Sequence, residues 1–316
     1  MNINDKFDLG AFETSSFSKQ KEIASRIDEQ LQTVGFLIVS NHGIESEKIN
    51  NIWSVLIKFF DSNQNYKNKV KAPFKGYPYG YLVSESETLA KSKGEFTPPD
   101  LKESFNGGPL YIPEGISSDA LEFCYLPTIW PNIDNFRKSW EDYYCEMENL
   151  SERLMSVFAI ALKLPSKYFD SYIDKPISAL RALNYPPINK SILPNQLRAG
   201  AHTDYGSLTI LLPMDQVEGL QIKDLKGNWI DVPYIKNSFI INIGDLMALW
   251  TNDRWTSTLH RVIPRNKDFS RRTLVFFHQP NWDAKINCLE SCKGEGIKHL
   301  EVVSGPYLME KFKSTT

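Results

Sequence analysis

The chain has 316 residues, 41% of them apolar and 23% charged, with a formal net charge of −2. That length is enough for one large domain or two modest ones with a real core. The weak charge gives no electrostatic reason to expect nucleic acid or an anionic membrane as partner. The start, "MNINDKFDLGAFE", lacks the apolar region of a secretory signal, and no stretch approaches the roughly 18–20 apolar residues of a membrane span. Cys124, Cys145, Cys288 and Cys292 are too few and scattered for a disulfide framework, and the last two are spaced wrongly for a zinc knuckle. They read as reduced thiols in a cytoplasmic protein.

In chain order, Ile23, Ile27, Leu31 and Val34 recur at helical spacing and predict a helix over 18–34, with Ser18 as candidate N-cap and Gly35 just beyond its end. "FLIVSNHG" reads as a strand entering a turn. A second helix is expected over 45–63. Residues 72–131, rich in Gly, Pro, Ser and aromatics, predict irregular structure with short elements. A long amphipathic helix follows from about Asn132 to Leu164, closed by Pro165. From 178 to 282 the texture changes to short β-rich runs, "SALRALNY", "GLQIKD", "NWIDVP", "SFIINIG", "STLHRVI" and "RTLVFFHQ", which predict a β-sandwich or open barrel. "VSGPYLMEKFK" predicts a final helix. With no repeats or low-complexity linker, the helices are expected to pack around one β core.

"GAHTDYGSLTILL" (200–212) enters an apolar run through a histidine and an aspartate one residue apart. On a strand these two share a face, a suitable bite for two ligands on one ion. Of the remaining histidines, His42 falls in a turn and His299 in a polar stretch, leaving His260 in "STLHRVIPR" and His278 in "SRRTLVFFHQ". On the latter strand Arg271, Thr273, Val275 and Phe277 share one face and His278 takes the other, which argues against His278 as a ligand. Two histidines and a carboxylate with open positions make the facial triad of non-haem Fe(II) oxygenases. Arg271 beside Thr273 on an apolar row has the chemistry of a carboxylate receptor, the alternative being a surface arginine next to a solvated Arg272.

"GAHTDYGSLTILL", "NIGDLMALWTNDRWTSTLHRV" and "RRTLVFF" together resemble the isopenicillin N synthase-like family of Fe(II)/2-oxoglutarate-dependent oxygenases. "VGFLIVSNHGI", "DLKESFNGG" and "LRALNYPP" extend the resemblance over some 270 residues. It implies an α+β fold, a double-stranded β-helix (jelly-roll) core with flanking N-terminal and central helices. It further implies an N-terminal segment over 7–125 and a core over 176–281, packed as one architecture. Carried over by residue, His202, Asp204 and His260 would hold Fe(II), while Arg271, Thr273 and Tyr185 would bind the C5 carboxylate of 2-oxoglutarate. Thr273 stands where the family usually has serine, and Leu183 where plant members often have asparagine.

The implied activity is oxidation of a small molecule by O2 and 2-oxoglutarate, releasing succinate and CO2; if Arg181 reaches that molecule, it carries an anionic or polar group. The alternatives are a 2-oxoglutarate-independent iron oxidase of the same family, a non-catalytic binding relative, and, less favoured, a zinc hydrolase. Arg181 shares a face with Leu183 and Tyr185 and either reaches the substrate or forms an ion pair at the barrel mouth. "WTNDRWTST", Arg261, Lys102 and Glu103 read as scaffolding.

Overall fold

The computed structural model describes residues 5–74, 76–188, 191–214, 218–265 and 268–313. The N-terminal part comprises β1 (Lys6–Asp8), α1 (Leu9–Glu13), α2 (Phe17–Thr33), β2 (Phe36–Ser40), α3 (Ser46–Phe60) and α4 (Gln64–Asn68). The middle part holds β3 (Gly80–Leu82), a 3₁₀ turn (Leu89–Lys93), β4 (Glu103–Gly107), α5 (Ser118–Cys124) and the long α6 (Phe136–Ala161). The β-rich part runs through β5 (Ala179–Tyr185), β6 (Ala199–His202), β7 (Leu208–Pro213), β8 (Leu220–Lys223), β9 (Trp229–Asp231) and β10 (Ser238–Ile243). It continues with α7 (Asp245–Trp250), β11 (His260–Val262) and β12 (Arg271–His278). A small β13 (Lys285–Ile286) and β14 (Val302–Val303) pair precedes α8 (Ser304–Lys313).

Eight strands form the major sheet in the order β1-β2-β10-β7-β12-β5-β4-β3, and four form a minor sheet, β6-β11-β8-β9. Apart from the parallel β1–β2 pair, the neighbours in both sheets are antiparallel. This is the expected α+β jelly-roll. Helices α3 and α6 cover the outer face of the major sheet, where Phe105, Ala182, Leu274 and Phe276 join one apolar core with Phe59, Trp140 and Leu154. Phe105 sits within 5.1–5.4 Å of the Phe59, Phe136 and Trp140 rings, and burying such a side chain contributes about 1.5–3 kcal/mol. The inner face carries a second cluster built on Phe36, Leu183, Tyr185, Ile222, Ile240 and Val275. With both faces covered, β10 and β12 are buried almost throughout, which is why their sequences read as continuous apolar runs rather than alternation.

Helix α2 begins one residue earlier than expected, because Ser16 and not Ser18 is the cap: its side chain accepts from Lys19 N. Gly35 ends that helix at φ +68°, and a Cβ there would lie 2.1 Å from Thr256 O, so only glycine fits. α6 starts sharply after Asn135, which takes the left-handed conformation. Among the described residues no helix is long and apolar enough to cross a membrane.

Candidate active site

Two strands of the minor sheet bring the metal-ligand candidates together. His260 on β11 pairs directly with His202 at the end of β6, and the rings lie 4.3 Å apart, centroid to centroid. Asp204 lies past the end of β6 rather than on a strand. Its position is fixed instead by its carbonyl, which accepts from Asp245 N at the start of α7 (2.7 Å). The Asp204 Oδ1 atom is 3.8 Å from His202 Nε2 and 3.7 Å from His260 Nε2. The three candidate donor atoms lie within 4.8 Å of one another, and this is the one such group among the described residues.

The tautomers follow from the partners. His202 Nδ1 faces Gly200 O at 2.7 Å and His260 Nδ1 faces Thr258 O at 3.0 Å. A carbonyl only accepts, so both Nδ1 atoms carry a proton and both Nε2 atoms face Asp204. The other Asp204 oxygen, Oδ2, is filled by Thr209 Oγ1 (2.6 Å) and Asn242 Nδ2 (2.7 Å). Burial works to raise the Asp204 pKa, but His260, His202 and these two hydrogen bonds outweigh it and hold the carboxyl below its usual value. Burial, together with neighbouring His260, pulls His202 down to about 3, so it stays neutral. Two imidazole Nε2 atoms and one carboxylate oxygen therefore face one point. That donor set fits a divalent cation, and the mix of two imidazoles and one carboxylate suits Fe(II).

The receptor candidates line the inner face of the major sheet. The register sets Arg271 opposite Tyr185, Thr273 opposite Leu183 and Val275 opposite Arg181. Arg271 is buried, its guanidinium 5.0 Å from the Tyr185 ring centre, and its Nε donates to Glu218 O at 3.3 Å. Its Nη1 and the Thr273 Oγ1 are both buried with no hydrogen-bond partner. Burial lowers the Arg271 pKa, opposed by Tyr185. Two orphaned polar groups side by side in an apolar wall fit an anionic ligand with oxygen acceptors.

Arg181 is engaged by the chain itself. It forms a two-point ion pair with Glu87 (2.9 and 3.3 Å), and its Nε donates to Asn106 Oδ1 at 2.8 Å. Burial acts to raise the Glu87 pKa, but Arg181 and Lys102 overcome it and hold the carboxyl near 2.

The other histidines stand apart from the triad. His278 Nδ1 bonds Ser207 Oγ at 2.6 Å, His42 packs edge-on against Phe239, and His299 contacts Asp253 at 2.7 Å. In the "WTNDRWTST" loop, Arg254 and Trp255 bind Asp28 of α2, and Asn252 bonds the 292–298 segment. Arg261 bonds Gln221 and lies over Trp229. Sequence reasoning missed Thr209, Asn242, Glu87 and Asn106. A lone Asn in "SFIINIG" and a lone Thr in "SLTILL" were the available signals, since a polar side chain in an apolar run needs a partner.

Residues 176–280 match the 2OG-Fe(II) oxygenase superfamily, and residues 5–133 match a family described as the N-terminal region of a non-haem dioxygenase in morphine synthesis. A homoarginine-6-hydroxylase of Oryza sativa subsp. japonica is 30% identical over 92% of this chain and 88% of its own length. A 2-oxoglutarate-Fe(II) type oxidoreductase of Emericella nidulans is 28% identical over 90% of this chain and 82% of its own. Among solved structures, a full-length Neurospora crassa protein in complex with alpha-KG superimposes with a TM-score of 0.86 at 28% identity, covering 99% of this chain and 98% of that one.

Proposed function

The chain belongs to the 2OG-Fe(II) oxygenase superfamily, and we propose that within it His202, Asp204 and His260 hold the iron while Arg271, Thr273 and Tyr185 hold the far carboxylate of 2-oxoglutarate. The protein is a dioxygenase using Fe(II), 2-oxoglutarate and O2. When bound, the iron and cosubstrate supply the oxidation: O2 is consumed, 2-oxoglutarate becomes succinate and CO2, and one oxygen atom remains for the substrate.

The observation that carries the assignment is the pair of orphans. Arg271 Nη1 and Thr273 Oγ1 are buried without partners on the wall facing the triad's side of the barrel. A carboxylate satisfies both together: the guanidinium supplies charge and direction, the hydroxyl one further bond. Tyr185, opposite Arg271, limits where the guanidinium can swing. On the metal side, Gly200 O and Thr258 O fix the imidazole orientations, and Thr209 with Asn242 turns Asp204 Oδ1 inward. Leu183, Val275 and Phe36 supply an apolar lining that excludes water.

For the substrate, the relatives include proteins named for homoarginine hydroxylation and a structure of the Neurospora crassa protein with thymine. We infer a small polar molecule for this chain, with Arg181 contacting it. Because Glu87 already balances the Arg181 charge, a neutral hydrogen-bond acceptor is favoured over a second carboxylate. The four unpaired cysteines support a reducing, cytoplasmic setting. The continuous packing supports segments 7–125 and 176–281 acting as one architecture.

The test is anaerobic titration of the metal-free protein with Fe(II) and then 2-oxoglutarate, followed by visible absorbance, beside Arg271→Ala. A weak charge-transfer band in the wild type, saturating at about a hundredfold more 2-oxoglutarate in the variant, is expected from breaking a buried charge pair (about 3–5 kcal/mol) at about 1.4 kcal/mol per tenfold. Equal saturation in both proteins would remove Arg271 from the receptor.

A further inference from the structure

The "DLKESF" stretch is not accounted for by metal or cosubstrate, yet it holds two of the most buried charges in the chain. Asp100 is 1% exposed and Lys102 4%. Asp100 ends the segment 84–100, whose 3₁₀ turn lies against β6; a Cβ on Gly200 would meet Ala90 N at 2.9 Å and Ala90 Cβ at 3.0 Å. Gly200 is thus the point where this cover rests on the strand that carries His202.

The contacts at that point form a continuous chain. Lys102 Nζ pairs with Asp100 Oδ2 at 3.0 Å, and Leu89 N donates to the same oxygen at 3.2 Å. The other oxygen, Asp100 Oδ1, accepts from Gly200 N at 2.9 Å. The carbonyl of Gly200 accepts in turn from His202 Nδ1 at 2.7 Å. Backbone bonds from Asp100 N to Glu87 O and from Leu101 N to Leu197 O hold the carboxylate in register, at 2.9 and 3.0 Å. Glu87, bound to both Lys102 and Arg181, extends the chain to β5.

We propose that Asp100 is a positioning residue for His202, and that through it closure of the 84–100 cover and metal binding favour each other. The Gly200 N–H and C=O lie on successive peptide units joined at its Cα, so rotation of the strand end at Gly200 would release the proton-bearing Nδ1 and with it the direction of Nε2. The carboxylate prevents that rotation only while the cover is seated, because its second oxygen is held by Lys102 and Leu89. The inference rests on the assignment of His202 as a ligand. Linkage makes the coupling reciprocal: whatever the cover contributes to metal affinity, the metal returns to cover stability.

Mn(II) is the probe, since it binds without turning over. Calorimetric titration should show Asp100→Ala weakened by about tenfold, the lower end for groups that orient a ligand. Asp100→Asn keeps an acceptor for Gly200 N but turns an NH2 toward Lys102 and Leu89, so it should weaken Mn(II) binding by less than Asp100→Ala. In the wild type, saturating Mn(II) should slow tryptic cleavage at the exposed Lys91 and Lys93 by a similar factor. That measurement decides the matter even where Asp100→Ala does not fold. A folded Asp100→Ala with wild-type Mn(II) affinity, equal losses in Asp100→Ala and Asp100→Asn, or cleavage unaffected by Mn(II) would each overturn the coupling. His202→Ala separates the two levels. Its loss of Mn(II) binding beside an unaffected Asp100→Ala sinks only the coupling, whereas wild-type binding by His202→Ala removes the metal-site assignment itself.

Discussion

Arg271 and Arg272 are adjacent in sequence and point to opposite faces of the same strand. On the inner face Arg271 leaves a buried N–H without a partner, and Thr273 leaves a hydroxyl in the same state. On the outer face Arg272 donates to Asn184 Oδ1 at 3.0 Å and pairs with Asp61. Asn184 Nδ2 donates to Glu103 Oε1 at 2.7 Å, and Glu103 Oε2 takes Lys67 at 2.8 Å together with the Tyr81 hydroxyl. Glu103, Asn184 and Arg272 are register neighbours across three strands. Both rows are buried and polar, so burial alone does not tell scaffold from site. What separates them is satisfaction: the outer row closes on itself, whereas the inner row leaves buried hydrogen-bonding capacity unused.

If that distinction holds, variants on the two faces should part cleanly between stability and binding. The largest stability effect belongs to Glu103→Leu, which strands the buried Lys67 ammonium and should cost about 3–5 kcal/mol in urea unfolding. Folded Glu103→Leu should still bind 2-oxoglutarate within about twofold of wild type. Arg271→Ala inverts the pattern, with about a hundredfold weaker 2-oxoglutarate binding and metal-free stability within about 1 kcal/mol of wild type. Arg272→Met should lose about 2 kcal/mol of stability, as Asn184 Oδ1 is left unpaired, with cosubstrate affinity unchanged. Should Arg272→Met weaken 2-oxoglutarate as much as Arg271→Ala, the two faces would not be separate systems.

The sequence made the inner face more legible than the outer. A strand repeats every two residues, so Arg271 with Thr273 and Arg181 with Tyr185 can be aligned from spacing alone. Strand-like surroundings singled out His260, and the outward face of His278 argued against it. Cross-strand neighbours carry no such local signal. Nothing in "LRALNY" says that Asn184 stands between Glu103 and Arg272, because their register is set by distant turns and by packing. For the same reason Thr209 and Asn242, though out of place in apolar runs, did not reveal Asp204 as their shared partner, and Arg181 could not be assigned to Glu87. The chain also hides Asp204's support: the residue sits beyond β6, held by Asp245 N rather than by strand geometry.

A smaller effect tests whether the orphaned hydroxyl is reserved for a ligand or merely tolerated. Thr273→Val keeps shape and branching and removes only the oxygen's hydrogen-bonding capacity. It should weaken 2-oxoglutarate by about tenfold, about 1.4 kcal/mol, while leaving metal-free stability equal or slightly higher, since a buried unpartnered hydroxyl is removed. A loss of stability instead would mean that Thr273 bonds something within the protein, and the inner row would then resemble the outer one.

The outer layer has one group that strains the comparison. Burial, reinforced by Glu152, pushes the Glu148 carboxyl on α6 up to about 7. Its proton is held more tightly in the folded chain than in the unfolded one, where a glutamate titrates near about 4.3. The stability it contributes is therefore complete below about pH 4 and is lost as pH rises through about 7. Glu148→Gln should flatten unfolding stability between about pH 5 and about pH 8, making the variant relatively more stable at the alkaline end, with 2-oxoglutarate affinity unaltered. If binding changed as well, an incompletely satisfied group on the helix side would be coupled to the site, and unsatisfied polarity would mark function on both faces. If only the pH slope changes, Glu148 is a plain burial cost on the scaffold. Reserved capacity then has meaning only where, as at Arg271 and Thr273, orphans stand side by side on one face.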